Sequence, residues 1–235
     1  MSAVPPWEPG EVRLWLIDLE QDNWGPWTHR LLSADERARR DRFVQQRDRR
    51  AYSIVRATAR VLLGRHLVRP PASLVIGEGR YGKPHLVDSA VEFNVSHSGR
   101  WALIAMAEDH PVGVDIEQQL DLPDMSSVAR ICFSEPERQA LWSLPRDLQN
   151  QAFFLCWSRK ESFIKALGTG LSFPLDAFDV TLDPRREAAL LEVRDPARAA
   201  EDWHLVGLPA PSGYAAALTT LGAAAVRWML TPRLS

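Results

Sequence analysis

Residues 157–171 read Trp-Ser-Arg-Lys-Glu-Ser-Phe-Ile-Lys-Ala-Leu-Gly-Thr-Gly-Leu, and this run predicts a helix that ends in a glycine turn. Trp157, Glu161 and Lys165 are spaced by four, so they share one helix face with an acid and a base adjacent on it. Gly168 is the residue type that most readily ends a helix in a left-handed conformation. Two interpretations stay open from these residues alone: an ordinary helical ion pair, or an acid and a base that serve a site.

A pair of acids lies upstream, in residues 113–117, which read Gly-Val-Asp-Ile-Glu. In a predicted strand over 112–117, Asp115 and Glu117 leave the same face because side chains alternate along a strand. Two carboxylates on one face can hold Mg²⁺, with water and phosphate oxygens as the remaining ligands. A pair of acids on a strand is more often a solvated face, so the pair alone does not establish a metal site.

Turn-like segments between residues 82 and 99 carry groups suited to anions. The runs are Gly-Lys-Pro at 82–84 and Phe-Asn-Val-Ser-His-Ser-Gly at 93–99. Lys83, Ser96 and His97 can donate hydrogen bonds to phosphate oxygens, although turn capping and a partly exposed imidazole would also explain Ser96 and His97. A Ser-His-Asp hydrolase is disfavoured because no Gly-x-Ser-x-Gly surrounds Ser96.

The hydrophobic pattern predicts an α+β fold, with the order strand, helices, sheet, helices, sheet. Ser33 with Glu36, and Ser134 with Glu137, have the spacing of capping boxes, which mark helix starts. The two halves of the chain echo each other only weakly, with no detectable sequence repeat. Helices are expected at about 34–43, 48–67 and 147–167, and strands at 12–18, 74–76, 91–95, 101–107, 112–117, 178–182, 190–193, 203–208, 214–219 and 224–230.

Composition limits the function classes. The 235 residues are 46% hydrophobic and carry a formal charge of −2, so the molecule as a whole does not attract nucleic acid. Seven arginines between Arg37 and Arg50 form a local basic patch, which suits phosphates or an acidic protein. Cys132 and Cys156 belong to no ligand or nucleophile pattern. The start, MSAVPPWEPG, lacks the features of a signal peptide, and no apolar run approaches the roughly 18 residues of a membrane span, so the cytoplasm is expected.

Taken in order, these motifs, together with Phe133-Ser134, resemble the signature series of Sfp-type 4′-phosphopantetheinyl transferases. The resemblance covers about residues 33–178. It implies two similar α/β lobes related by a pseudo-twofold axis, with coenzyme A and Mg²⁺ between them. The expected subdomains are 1–111, which contacts coenzyme A phosphates, and 112–235, which holds the metal ligands and the catalytic helix. The implied enzyme moves 4′-phosphopantetheine from coenzyme A to a serine of an apo-carrier protein, and it is expected to be a monomer.

The resemblance also implies roles for single residues. Asp115, Glu117 and Glu161 match magnesium ligands, with Glu161 as the general base and Lys165 in contact with the transferred group. Lys83, Ser96 and His97 match positions that hold coenzyme A phosphates. Arg39, Arg42 and Arg56 are assigned to the nucleotide 3′-phosphate or to the carrier from charge placement alone. Two alternatives are a catalytically inactive module that binds the carrier or coenzyme A, and a nucleic-acid-binding protein that uses the arginine patch.

Overall fold

The computed structural model describes residues 7–21, 24–195 and 197–230. The helices in these residues are α1 (Trp27–Leu31), α2 (Ala34–Asp41), α3 (Gln46–Leu67), α4 (Met125–Cys132), α5 (Glu135–Ser143) and α6 (Arg146–Leu167). Short 3₁₀ turns occur at Pro71–Ser73, Gly170–Ser172, Leu175–Ala177 and Ala200–Asp202. None of the helices in the described part of the chain is long and apolar enough to cross a membrane.

The strands form two main sheets and two short hairpins. They are β1 (Glu11–Asp18), β2 (Ile76–Glu78), β3 (Pro84–Leu86), β4 (Val91–Ser98), β5 (Trp101–Glu108), β6 (Val112–Gln118), β7 (Phe178–Val180), β8 (Leu190–Val193), β9 (Trp203–Gly207), β10 (Tyr214–Leu221) and β11 (Ala225–Trp228). The first sheet has the order β11-β1-β5-β4, and the second has the order β6-β10-β9. All neighbours are antiparallel except β11, which is parallel to β1. The α+β prediction is confirmed.

The two halves of the chain repeat one order of elements. Each half runs from a strand (β1 or β6), through a capped short helix (α2 or α5) and a 22-residue helix (α3 or α6), into the remaining strands of its own sheet. In both sheets the first strand pairs with the last strand of the half, which pairs in turn with the strand before it. The strand β11 is the exception, because it returns to the first sheet.

A buried glutamate begins the same interaction in each half. Glu36 and Glu137 complete capping boxes with Ser33 and Ser134, as the sequence predicts. Glu36 also pairs with Arg60 of α3 at 2.8 Å (Oε2 to Nε), and Glu137 pairs with Lys160 of α6 at 2.8 Å (Oε2 to Nζ). A single carboxylate therefore caps one helix and ties it to the long helix of the same half.

The cations of these two pairs each donate hydrogen bonds to two backbone carbonyls of the segment that follows the long helix. Arg60 donates to the carbonyls of Pro71 and Leu74, and Lys160 donates to the carbonyls of Leu175 and Phe178. Buried charges are tolerable only when they are paired and hydrogen-bonded in this way. The segment that follows each long helix is thereby fixed to it.

Most of the predicted elements are confirmed, with two kinds of difference. The helices α1 and α4 and the strand β3 were not predicted, because segments of three to eight residues carry little periodic signal. The strand β2 begins at Ile76 rather than at Leu74, because the Leu74 carbonyl accepts a hydrogen bond from Arg60 instead of joining a ladder.

The helix α6 lies directly against the sheet at Gly113 of β6. A Cβ built on Gly113 would lie 2.1 Å from the Ser162 carbonyl oxygen and 2.2 Å from the Ala166 backbone nitrogen, both on α6. A contact that short is impossible, so only glycine lets the α6 backbone lie against this strand. The contact places Glu161 and Lys165 of α6 beside Asp115 of β6.

We expect Gly113→Ala to destabilise the protein by at least about 2 kcal/mol, because the added methyl group meets backbone atoms that cannot rotate away. Urea unfolding measures the loss. Gly207→Ala is the matched control, since Gly207 lies in the same sheet and a Cβ there would make an ordinary contact of 3.5 Å with Ala188. Equal losses for the two variants would show that the approach of α6 to β6 is looser than described.

Candidate active site

A cleft of about 480 Å³ opens between the two halves. Its apolar side is formed by Phe43, Tyr52, Val55, Tyr81 and Ile164. Several of the residues singled out from the sequence line the same cleft: Arg39, Arg56, Lys83, Ser96, His97, Glu117 and Lys165. Residues that are distant in the sequence thus meet at one place, with cations in excess.

Asp115 is 1% exposed and does not itself line the cleft, but it contacts two residues that do, Ser96 and Lys165. Its Oδ1 accepts hydrogen bonds from Lys165 Nζ at 2.5 Å and from Ser96 Oγ at 2.8 Å. Lys165 Nζ also donates to Ser96 Oγ at 3.0 Å, which closes a triangle of three side chains from β4, β6 and α6. Lys165 therefore pairs with Asp115 of the same half rather than being tied to its helix neighbour alone, and Ser96 joins the pair from the other half.

Three carboxyl groups share this environment. Burial raises the pKa of Glu117 to about 7, and the nearby Asp115 charge adds to this, against hydrogen bonds from Ser98 and Trp157 and the Lys165 charge. Burial also raises the pKa of Glu161, with the Lys165 charge opposing and Asp115 reinforcing the shift. Burial lowers the pKa of Lys165, but the charges of Asp115, Glu161 and Glu117 outweigh it and leave the pKa raised. The cluster thus holds more negative charge than Lys165 alone neutralises.

The donor set fits a hard divalent cation. Asp115 Oδ2 is buried and has no hydrogen-bond partner in the described structure, so one oxygen of the most buried acid is available to a ligand. Mg²⁺ prefers carboxylate oxygens, and Asp115, Glu117 and Glu161 supply them. Among the described residues, however, no three acids, histidines or cysteines are already gathered at metal-ligand distances.

The predicted phosphate contacts are distributed around the cleft. Lys83 donates to the Ala166 carbonyl at 3.3 Å and pairs with Glu92 at 3.3 Å, and burial lowers its pKa against the Glu92 charge. His97 is exposed and also borders a second cavity of about 700 Å³. These side chains can both reach the cleft, while the Lys83 contact with α6 links the two halves.

The three arginines assigned from charge alone differ in position. Arg56 is buried and pairs with Glu36 at 3.1 Å, whereas Arg39 is exposed and pairs with Glu78. Arg42 is exposed at the end of α2 and is not among the described residues that line the cleft. Arg39 and Arg56 are therefore at the cleft, and Arg42 is outside its wall.

Sequence reasoning missed several residues that shape the site. Ser98 and Trp157 lie close enough to Glu117 to oppose the rise in its pKa, and Asn94 Oδ1 accepts a hydrogen bond from the Val114 amide at 2.9 Å. Polar residues at alternate positions 94, 96 and 98 were the available signal, since such a row faces one side of a strand. The predicted strand ended at Val95 and Ser96 was assigned to a turn, whereas β4 continues to Ser98. Lys160, which precedes Glu161 in the same motif, points away from the cleft into its buried pair with Glu137.

Comparisons with known proteins identify the family of the chain. The family model described as the 4′-phosphopantetheinyl transferase superfamily matches residues 111–219, and the one described as 4′-phosphopantetheinyl transferase, N-terminal, matches residues 21–109. The chain is 32% identical over 217 residues to the 4′-phosphopantetheinyl transferase HetI of Nostoc sp., which covers 90% of this chain and 88% of HetI. The chain belongs to the 4′-phosphopantetheinyl transferase family.

Two further relatives are covered less completely. The 4′-phosphopantetheinyl transferase Sfp of Bacillus subtilis is 35% identical over 152 residues, which are 64% of this chain and 66% of Sfp. The protein slr0495 of Synechocystis sp. is 37% identical over 145 residues, which are 60% of this chain and 59% of slr0495. The resemblance to the Sfp-type family inferred from the motifs is confirmed.

The raised pKa of Glu117 predicts a pH dependence of stability in the absence of divalent ions. A carboxyl group whose folded pKa is about 7, against an ordinary value of 4.5, favours folding fully below pH 4.5 and loses this contribution as the pH rises through 7. We expect the free energy of unfolding to fall by roughly 2 kcal/mol from this group between pH 5 and pH 8.

Glu117→Gln removes the titrating group, so the variant should be more stable than the wild type at pH 8. Its free energy of unfolding should decrease much less than that of the wild type between pH 5 and pH 8. Urea unfolding in EDTA at pH 5, 6.5 and 8 measures it. Glu135→Gln, at the exposed start of α5, is the control and should keep the wild-type profile. If Glu117→Gln showed the same dependence of unfolding free energy on pH as the wild type, burial and the Asp115 charge would not raise the pKa of Glu117.

Proposed function

We propose that this chain transfers the 4′-phosphopantetheine group of coenzyme A to a serine of an apo-carrier protein and releases 3′,5′-adenosine diphosphate. The observation that carries the proposal is the cleft itself, whose wall includes Lys165, paired with the buried Asp115, together with further cations. Membership of the family supports the reaction class. Phosphoryl transfer needs positioning and charge neutralisation, and this cleft offers both.

The cleft walls suit the two ends of a nucleotide diphosphate. Lys83, His97 and Arg56 supply donors for phosphate oxygens, and charge-assisted hydrogen bonds of this type are the strong ones. The rings of Phe43 and Tyr52, 5.5 Å apart, together with Tyr81, give the adenine an aromatic surface. We assign Arg39 to the rim, where it can meet the 3′-phosphate or the carrier.

The acids near Lys165 are the proposed metal ligands, Asp115, Glu117 and Glu161. When bound there, Mg²⁺ supplies positive charge next to the pyrophosphate. Lys165 lies beside the same acids and is the protein's own cation at the transferred phosphate. The protein thus concentrates positive charge where negative charge develops in the transition state.

The transfer step needs a base for the carrier serine. The serine oxygen forms a bond to the phosphorus that bears pantetheine, and the bond from that phosphorus to the bridging oxygen breaks. The electron pair leaves with 3′,5′-adenosine diphosphate. Glu161 takes the serine proton, directly or through a water molecule that it orients, and its raised pKa brings it closer to the working pH of a base.

All of these side chains come from one chain, so a second copy is not needed to complete the cleft. A monomer and a cytoplasmic location stay predictions, as does the boundary between subdomains 1–111 and 112–235. The carrier is expected to be an acyl or a peptidyl carrier, and the arginine patch around Arg42 is available to its acidic surface.

The direct experiment incubates the protein with coenzyme A, Mg²⁺ and a panel of apo-acyl and apo-peptidyl carriers. Intact-protein mass spectrometry should show a gain of one phosphopantetheine on at least one carrier, and a serine-to-alanine carrier should gain none. Binding of coenzyme A without transfer to any carrier would favour the inactive module instead.

We expect Glu161→Gln to lower kcat by roughly 10²- to 10⁴-fold, because glutamine keeps the shape but cannot take a proton. The assay measures carrier modification at saturating coenzyme A across a magnesium titration. Glu135→Gln on the exposed face of α5 is the control and should retain wild-type kcat. A folded Glu161→Gln protein that keeps more than about a tenth of wild-type kcat would remove Glu161 from the role of base.

A further inference from the structure

Three polar side chains of β4 face the strand that carries the acids. Asn94, Ser96 and Ser98 are at alternate positions, so they leave the same side of the strand. The strand β4 is the last strand of the first sheet and β6 is the first of the second, so no backbone ladder joins these two edges. The side chains of Asn94, Ser96 and Ser98 lie between the edge strand β4 of the first sheet and the edge strand β6 of the second.

The row contacts β6 through side chains instead. The Val114 amide donates to Asn94 Oδ1 at 2.9 Å, and the Gln118 amide donates to Ser98 Oγ at 3.0 Å. Between them, Ser96 Oγ donates to Asp115 Oδ1 at 2.8 Å. Side chains of one sheet thus satisfy the free edge of the other on both sides of the buried acid.

The Ser96 hydroxyl has no proton left for a phosphate. A serine hydroxyl has one O–H donor, and that donor is directed to Asp115. Its oxygen accepts from Lys165 Nζ at 3.0 Å, and Ser96 is only 8% exposed. A phosphate oxygen needs a donor, so contact with phosphate would require this buried triangle to open.

We propose that Ser96 is a positioning residue for Asp115, rather than a direct contact to coenzyme A phosphates. The Ser96 hydroxyl and the Lys165 ammonium both donate to Oδ1 of Asp115, which fixes the rotation of the carboxylate. The buried Oδ2 has no hydrogen-bond partner in the described structure and is therefore free to bind a cation. This inference rests on the proposed function, since it assumes that the acids hold a divalent ion. It changes the role that the sequence assigned to Ser96.

The expected effect is on metal affinity. Partners that orient a ligand typically contribute about 10- to 100-fold to metal affinity. Ser96→Ala should therefore weaken binding of Mn²⁺, a paramagnetic substitute for Mg²⁺, by roughly that factor. Binding of coenzyme A in EDTA should stay within about twofold of wild type. Lys83→Met is the contrasting variant, because it removes a proposed phosphate contact and should weaken coenzyme A about tenfold or more while leaving Mn²⁺ binding unchanged.

The experiment counts free Mn²⁺ by electron paramagnetic resonance during a titration of each folded protein, and measures coenzyme A by calorimetry in EDTA. Ser96→Thr keeps the hydroxyl and should restore Mn²⁺ affinity to within about threefold of wild type, which a general loss of packing would not do. If Ser96→Ala is too unstable to titrate, Ser96→Thr compared with Ser96→Cys provides the same contrast, since a thiol is a weak donor.

Two results would overturn the inference. A loss of coenzyme A affinity in EDTA with unchanged Mn²⁺ binding would make Ser96 a phosphate contact. Unchanged affinity for both ligands would remove it from the site. Failure of the proposed function is separate, because it would appear in the wild-type protein as an absence of carrier modification or of coenzyme A binding.

Discussion

The close contact of α6 with β6 at Gly113 is the constraint on which the site depends. Glycine there leaves no Cβ, so the helix backbone lies against the strand, and a larger residue would push the two elements apart. At this separation Lys165 of the helix pairs with Asp115 of the strand at 2.5 Å. The motif Gly-Val-Asp-Ile-Glu therefore has a structural and a chemical role. Its glycine lets the helix lie against the strand, Glu117 lines the cleft, and Asp115 is buried against Lys165.

Buried acids outside the site are neutralised more completely than the acids near Lys165. Glu36 and Glu137 are buried with cations and with backbone donors, and removing one partner of such a buried pair typically costs about 3–5 kcal/mol. The acids near Lys165 are not balanced in this way, since Asp115 Oδ2 lacks a partner and the pKa of Glu117 is raised to about 7 by burial and by Asp115. The scaffold neutralises its own charges, and the site keeps a surplus that a bound cation can neutralise.

Much of the fold could be predicted because it depends on local rules. Both capping boxes, the helix that ends at Gly168 with positive φ, and the strand that carries Asp115 follow from spacing and residue type. The repeated order of elements in the two halves could not be found by comparing their sequences, because matching positions keep the same structural role but not the same residue type. Arg60 and Lys160 occupy the same place in the two long helices, yet one is an arginine and the other a lysine. The second function of Glu36 and Glu137, as partners of these cations, depends on contacts between distant segments.

The site was predictable as a set of residues but not as a set of contacts. Motifs at 82–84, 93–99, 113–117 and 157–171 indicated which side chains meet, and the cleft contains most of them. Spacing could not show that Lys165 contacts Asp115 rather than being tied to Glu161 alone, or that Ser96 donates to a carboxylate. Lys160 and Glu161 are adjacent, and only the packing of α6 decides that the first is buried against Glu137 while the second lies near Asp115.

If the contact between α6 and β6 brings acids from both elements to one cation beside the cleft, anomalous diffraction from crystals grown with Mn²⁺ and coenzyme A should locate that cation. We expect one anomalous peak within ligand distance of carboxylate oxygens of Asp115, Glu117 and Glu161, next to the pyrophosphate. Bound coenzyme A with the peak elsewhere, or with Glu161 turned away from it, would show that the two elements do not form a shared cation site.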